Sequence, residues 1–156
     1  IFITDDELRV NEIVTRFSRV GYDHTLGYLN GGIDGWKTQD FDVDYIGSVS
    51  AAQFTDMLAK GSMEKPIDVR RESEYLSEHV LGVESFPLDF IHANFAEIDP
   101  DKEYFLHCKT GYRSLIATSI LKANGVKKVT DVRGGYEAIK VCKAPLSEFV
   151  CPTTIL

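Results

Sequence analysis

The chain is poor in the residues that would fix its structure covalently or place it in a membrane. It has three cysteines in 156 residues, Cys108, Cys142 and Cys151, too few and too odd in number for a disulfide scaffold. That usage reads as a reducing cytoplasm, the compartment expected for this chain. The same three cysteines lack paired spacing, and His24, His79, His92 and His107 are scattered, so no metal site is expected. Basic residues are in the minority: 17 Lys and Arg against 24 Asp and Glu leave a net charge of −7. A broad nucleic-acid footprint, which needs a strongly basic face, is therefore not expected. No apolar run approaches the length of a membrane span, and the opening IFITDDELRV lacks the basic and apolar sections of a secretion signal. What is present is core material: 44% of the residues are hydrophobic, enough to exclude global disorder.

Glycine and proline punctuate a strand–helix rhythm. The apolar Ile1-Phe2-Ile3 predicts a short buried strand, and Leu8, Ile13, Val14, Phe17 and Val20 a helix that stops at Gly21. Residues 25–29 read as a second strand, and Asn30-Gly31-Gly32 as a turn into a short helix ending near Trp36 and Lys37. Residues 1–40 form one segment, and the acidic, aperiodic stretch 41–49 a linker. Residues 50–150 then read as a complete unit. Ser50 and Gln53 predict a capping box for a helix with Phe54, Met57 and Leu58 turned inward. Strand residues Ile67-Asp68-Val69 follow, then a helix capped by Ser73, a strand over 83–88 and a short helix over 90–97. A strand over 103–107 runs into Cys108. The helix after it carries Ile116, Ala117, Ile120 and Leu121 on one face, and Asn124-Gly125 closes it. A strand over 129–132, a Gly134-Gly135 turn and a helix over 136–140 complete the pattern; the tail from 141 has no clear reading. Strands separated by helices predict an α/β fold with a mostly parallel sheet covered on both faces.

An internal repeat emerges when residues 1–37 are laid on 104–140. Six positions are identical, among them Phe2 with Phe105 and Gly31-Gly32 with Gly134-Gly135, and the order of elements is the same. Residues 1–37 thus read as the last third of an earlier, degenerate copy inside a larger protein. Cys108 falls opposite Asp5 and the loop KTGYRS opposite DELRVN, so the first copy should lack whatever chemistry the second carries. As a fragment it must pack on something or self-associate, since an open strand edge favours pairing.

The chemistry sits at His107-Cys108-Lys109-Thr110-Gly111-Tyr112-Arg113-Ser114. Sites of open α/β sheets form at the carboxyl ends of strands. Backbone N–H groups of a tight loop and a helix N-terminus favour negative charge, Gly111 allows a turn closed to other residues, and Lys109 and Arg113 add positive charge. The setting stabilises a thiolate and an anion beside it, which makes Cys108 a candidate nucleophile for a sulfur or phosphorus centre. The alternative is a cysteine that merely packs. For Lys109 the alternative is a solvated charge. Asp68 could pair with Arg70, Arg71 or Arg113, or serve as a structural carboxylate holding backbone N–H groups. The double glycines lack the Lys-Ser/Thr ending of a phosphate loop and read as turns.

CKTGYRS at 108–114 resembles the active-site loop of rhodanese-type sulfurtransferases. IDVR at 67–70, EHVLGVESFPL at 78–88 and DVRGGYEA at 131–138 resemble three further motifs of that family, so the likeness spans about residues 48–146. Ile139 departs from the family's usual tryptophan, which the first copy retains as Trp36. The resemblance implies a rhodanese-like fold preceded by a fragment of a degenerate copy. It implies a double displacement without a cofactor: Cys108 takes a sulfane sulfur from thiosulfate, a polysulfide or a persulfide and yields it to a thiol, cyanide or another thiophilic acceptor. It assigns catalysis to Cys108 and Arg113, donor binding to Lys109, Thr110, Gly111, Tyr112 and Ser114, and a supporting role to Asp68 and Arg70. The stretch RVGYDHTLGYLNGGIDGWK at 19–37 resembles the end of an inactive rhodanese-like domain of the kind found between a metallo-β-lactamase-fold hydrolase and a second rhodanese-like domain. The chain would then be the C-terminal part of such a fusion, and a relay module serving that hydrolase is an alternative to an independent enzyme. A cysteine phosphatase or arsenate reductase is disfavoured by spacing: four residues, not five, separate Cys108 from Arg113, leaving a cradle suited to one sulfur.

Overall fold

The computed structural model describes residues 1–151 and divides into two compact units, Ile1–Tyr45 and Ile46–Leu156. In the first, a single-turn 3-10 segment, Glu7–Arg9, leads into α1 (Val10–Ser18), and a turn leads into α2 (Gly32–Lys37). The Asp6 carboxylate caps the entry by accepting from Leu8 N at 3.0 Å. The two expected strands shrink to a single parallel bridge between Phe2 and Tyr28. Nor is the first of them buried: Ile1 is 86% exposed and Ile3 61%. At the repeat-equivalent positions of the second unit, Tyr104 and Leu106 are buried between neighbouring strands and a helix. A strand without such neighbours has nothing to bury its side chains against. Aromatic pairs link its parts, with Phe2 edge-on to Phe17 at 5.7 Å and Trp36 against Phe41 at 4.6 Å. Trp36 also donates from Nε1 to Asp42 O. The repeat is legible in the backbone: Gly31 and Gly32 adopt φ 70° and 56°, Gly134 and Gly135 φ 79° and 57°.

The second unit holds five strands: β1 (Gly47–Ser50), β2 (Lys65–Asp68), β3 (Glu84–Ser85), β4 (Tyr104–His107) and β5 (Val129–Arg133). They form one parallel sheet in the order β1-β5-β4-β2-β3. Its helices are α3 (Ala51–Ala59), α4 (Glu72–Ser77), α5 (Tyr112–Ala123) and α6 (Gly135–Val141). β1 takes up residues 47–49 that the sequence reading had given to the linker, because Gly47–Ser50 pairs in register with Thr130–Arg133. Side chains alternate across the sheet. Ile67, Val69, Leu106, Cys108 and Val129 join Ala117 and Leu121 of α5 in one apolar layer. Phe105 and Val132 join Phe54 of α3 and Tyr136 and Ile139 of α6 in the other. Helices therefore cover both faces, and Ile139 is fully buried where the family's tryptophan would sit.

Local details follow from the residues. Ser50 and Gln53 form the expected capping box at α3. α4 begins earlier than expected: Arg71, not Ser73, is its N-cap residue, and Glu74 accepts from Arg71 N. Residues 90–97 form no continuous helix. The segment makes two 3-10 turns, Leu88–Phe90 and Phe95–Glu97, whose flanking Ile91 and Ile98 are drawn into the core. The buried stripe of α5 is Ser114, Ala117, Thr118 and Leu121, leaving Ile116 38% exposed. The tail runs back along residues 77–81: Leu146 bridges Val80 antiparallel, Ser147 N donates to His79 O, and Val150 N donates to Ser77 O. Among the described residues no helix is long and apolar enough to cross a membrane.

Candidate active site

β4 delivers Cys108 to the carboxyl end of the sheet, and α5 starts four residues later. Between them the chain turns sharply at Gly111, whose φ of 110° is closed to most other residues. This turn aims backbone N–H groups at the sulfur. Gly111 N donates to Cys108 Sγ at 3.2 Å, and the Ser114 hydroxyl lies 3.6 Å from the same atom. Cys108 is 1% exposed. Burial alone would push its thiol up. The Ser114 N–H and hydroxyl and the N–H groups of Gly111 and Thr110 outweigh burial and hold it below the ordinary cysteine value. The sulfur thus sits in a cage of donors at a helix N-terminus, which favours its charged form.

The other face of the loop is pinned by α6. Tyr136 N donates to Cys108 O at 2.7 Å, and Glu137 N to Lys109 O at 3.1 Å. These contacts require Gly135, because a Cβ there would fall on Cys108 O and within 2.8 Å of Lys109 O. Gly32 stands against Thr4 O in the same way in the first unit.

Arg113 does not turn into the cradle. Its guanidinium grips Glu74 of α4 with both nitrogens, at 2.5 and 3.0 Å. Glu74 was not singled out from the sequence; its place in the first turn of α4, where it also accepts from Arg71 N, was the available signal. The Arg113 side chain holds the Glu74 carboxyl below its ordinary value. Lys109 is 58% exposed and lies 3.6 Å from Glu137. Thr110 and Tyr112 are exposed.

Asp68 and Arg70 project to the opposite face of the sheet from Cys108. Asp68 accepts from Arg70 N at 2.9 Å and pairs with the Arg70 guanidinium at 2.7 Å, both residues being buried. The guanidinium also donates to Glu78 O and lies 4.0 Å over the Tyr136 ring. Asp68 is therefore paired with Arg70 and holds a backbone N–H. Tyr136 and Lys140 both bond Glu78, which is held below its ordinary value by Lys140 first and Tyr136 second. A cleft of about 340 Å³ lies along the Lys109 side of the loop, walled by Arg70, Glu74, Glu78, Tyr136 and Glu137. A hollow of about 370 Å³ in the first unit is lined by Phe2, Phe17, Tyr22, Asp23, His24 and Thr25 and by no cysteine. Among the described residues no group of His, Cys, Asp or Glu is arranged to hold a metal ion.

A parallel α/β sheet with a cysteine caged by N–H and hydroxyl donors where its central strand meets a helix defines a cysteine-loop domain. More narrowly, the chain belongs to the rhodanese-like domain family, whose model matches residues 50–142. It is 34% identical over 71 residues to the uncharacterized protein YqhL of Bacillus subtilis, covering 46% of this chain and 56% of that protein. It is 30% identical over 90 residues to the putative sulfur carrier protein YrkF of the same organism, covering 58% of this chain and 49% of the relative. The chain thus spans about half the length of these curated relatives. A crystal structure of a rhodanese-related protein from Thermoplasma volcanium shares the fold, with a TM-score of 0.57, 24% identity, and coverage of 65% of this chain and 97% of that one.

Proposed function

We propose that residues 50–150 form a sulfurtransferase domain in which Cys108 carries a sulfane sulfur. The observation that supports this most directly is the cage around Cys108 Sγ, with N–H and O–H donors at 3.2 and 3.6 Å. The Cys108 thiolate attacks the outer sulfur of thiosulfate or an organic persulfide. The sulfur–sulfur bond of the donor breaks, sulfite or a thiolate leaves with its electron pair, and Cys108 holds the new persulfide anion. The donors that stabilise the thiolate then stabilise the terminal sulfur. A thiol, cyanide or sulfite attacks that sulfur, and the Cys108 thiolate returns. No electrons enter or leave, so no redox cofactor is required.

Arg113 contributes by fixing the start of α5 to α4 through Glu74, and Lys109 is the cation best placed to draw an anionic donor along the cleft. The YrkF relationship also supports a carrier role, in which the domain receives sulfur and passes it to a neighbouring domain. The likeness of residues 19–37 to an inactive rhodanese-like domain supports a metallo-β-lactamase-fold hydrolase as that neighbour. The exposed Ile1, Ile3 and Leu26 support self-association through residues 1–40.

The test is incubation with thiosulfate or a low-molecular-weight persulfide, then intact mass and peptide mapping, with thiocyanate formation from cyanide as the turnover readout. One added sulfur on Cys108, lost on cyanide addition, is the expected result. Uptake from persulfide without turnover of thiosulfate and cyanide favours the carrier role. Sulfur mapped to Cys142 or Cys151, or Cys108-dependent phosphate release from an aryl phosphate without persulfide, overturns the reading.

A further inference from the structure

β5 climbs out of the core beside the Cys108 loop. On the face turned to α5, Val129 is buried, Asp131 is 3% exposed, and Arg133, the last residue of the strand, is exposed. Val132, between the last two, packs on the other face with Phe54 and Ile139, so the alternation holds to the end of the strand. β4 and β5 run parallel, with Leu106 level with Asp131. Two residues on, the same register sets Cys108 level with Arg133, both on the α5 face. Neighbouring strands lie about 4.8 Å apart, less than the length of an extended arginine side chain. The backbone closes on the same point: Gly134 N lies 3.8 Å from where a Cβ on Gly111 would stand.

The charges at this end of the sheet single out Arg133. Arg70, Arg71, Lys109, Arg113 and Lys140 flank the loop or the adjoining cleft. Each has a carboxylate oxygen within 3.6 Å, from Asp68, Asp89, Glu137, Glu74 and Glu78 in turn. Arg133 makes no ion pair among the described residues, and Asp131, the nearest acid along its strand, is buried beneath it. A guanidinium with its N–H groups free matches two oxygens of an oxyanion through parallel bonds. Here one stands at the level of the nucleophile and on its face of the sheet.

We propose that Arg133 binds the oxyanion end of the sulfur donor: the oxygens of thiosulfate that leave as sulfite, or the carboxylate of an acidic persulfide. With thiosulfate, the bond from Cys108 to the outer sulfur forms as the donor's sulfur–sulfur bond breaks. The electron pair of that bond departs on the sulfite held by Arg133. The assignment rests on the proposed sulfur transfer at Cys108.

Two measurements on the whole chain separate the two claims. The first compares alkylation of Cys108 by iodoacetate and by iodoacetamide, read by peptide mapping so that Cys142 and Cys151 do not contribute. The ratio of the two rates cancels changes in the thiol itself and needs no sulfur donor. Arg133→Gln lowers the iodoacetate-to-iodoacetamide ratio about threefold at low salt, and Arg133→Lys, which keeps the charge but not the fork, falls between. The second follows sulfur loading on Cys108 from thiosulfate, from the persulfide of mercaptoacetate and from the uncharged persulfide of 2-mercaptoethanol. Arg133→Gln slows a charged donor about tenfold and leaves the uncharged one unchanged. Whichever charged donor slows is the source of the oxyanion. An unchanged alkylation ratio, or equal slowing of charged and uncharged donors, overturns the proposal. A lowered ratio in Arg133→Gln, with no sulfur on wild-type Cys108 from any donor, supports the oxyanion site and overturns the transfer reading instead.

Discussion

Replacing Glu74 with glutamine tests how much of the second unit's stability rests on one clamp. The Arg113 fork holds the carboxylate at 2.5 and 3.0 Å, and the two side chains are 27% and 30% exposed. Charge-assisted bonds to a buried partner contribute roughly 1.5–3 kcal/mol. Partial exposure and screening reduce the pair to about 1–2 kcal/mol. With a urea slope of about 2 kcal/mol/M, the midpoint of Glu74→Gln should fall by about 0.5–1 M with the slope unchanged. The clamp also fixes the sign with pH. Glu74 is held below its ordinary value, so its contribution is complete above about pH 4.3 and is lost as pH falls through the depressed value of the folded state. Wild type and variant should therefore differ equally at pH 7 and pH 5.5 and converge in strong acid. The measurement is urea unfolding by far-ultraviolet circular dichroism. Fluorescence of the single tryptophan would mislead, because Trp36 lies in the first unit. A variant as stable as wild type at pH 7, or a gap that persists in strong acid, refutes the argument.

Two further outcomes are expected. Gly135→Ala places a methyl group against Cys108 O in a left-handed backbone, which costs about 1–3 kcal/mol from overpacking and about 1–2 from the backbone; thermal unfolding of the purified variant measures the loss, and an unchanged midpoint contradicts the packing. A fragment beginning at Ile46 should unfold cooperatively and take up sulfur on Cys108, since both apolar layers of the sheet lie within it; loss of cooperative unfolding would show that residues 1–45 belong to the same core.

The site was more legible than its supports. The Cys108 loop, its strand and its helix could be read because an apolar run, a nucleophile and a helix start are contiguous in the chain. The partners that hold the loop come from elsewhere. Glu74 is 39 residues from Arg113, and nothing local ties the two together. The helix itself was misphased by apolar spacing: Ile116 looked internal, yet Ser114 and Thr118 take the buried stripe, and hydrophobic periodicity does not count hydroxyls. The tail had no reading because its partners are residues 77–81, some 65 positions or more earlier. Ile1 to Ile3 failed in the opposite direction. Its sequence is that of an interior strand, but burial is a property of neighbours, and among the described residues its one bridge is to Tyr28.

The placing of β1 has a consequence for the order in which the domain is made. β1 is made first of the five strands, yet its only partner among the described residues is β5, whose residues come 83 positions later in register. Until then β1 and its capped α3 have no sheet to join, while β2, β3 and β4 can already pair among themselves. Closing so long a loop is slow, because its entropy is lost before the pairing rewards it. The Cys108 turn precedes β5, and α6, which pins it, follows. During synthesis the thiol therefore emerges before its cage is locked, and the nascent chain passes through an interval in which Cys108 is open to oxidation.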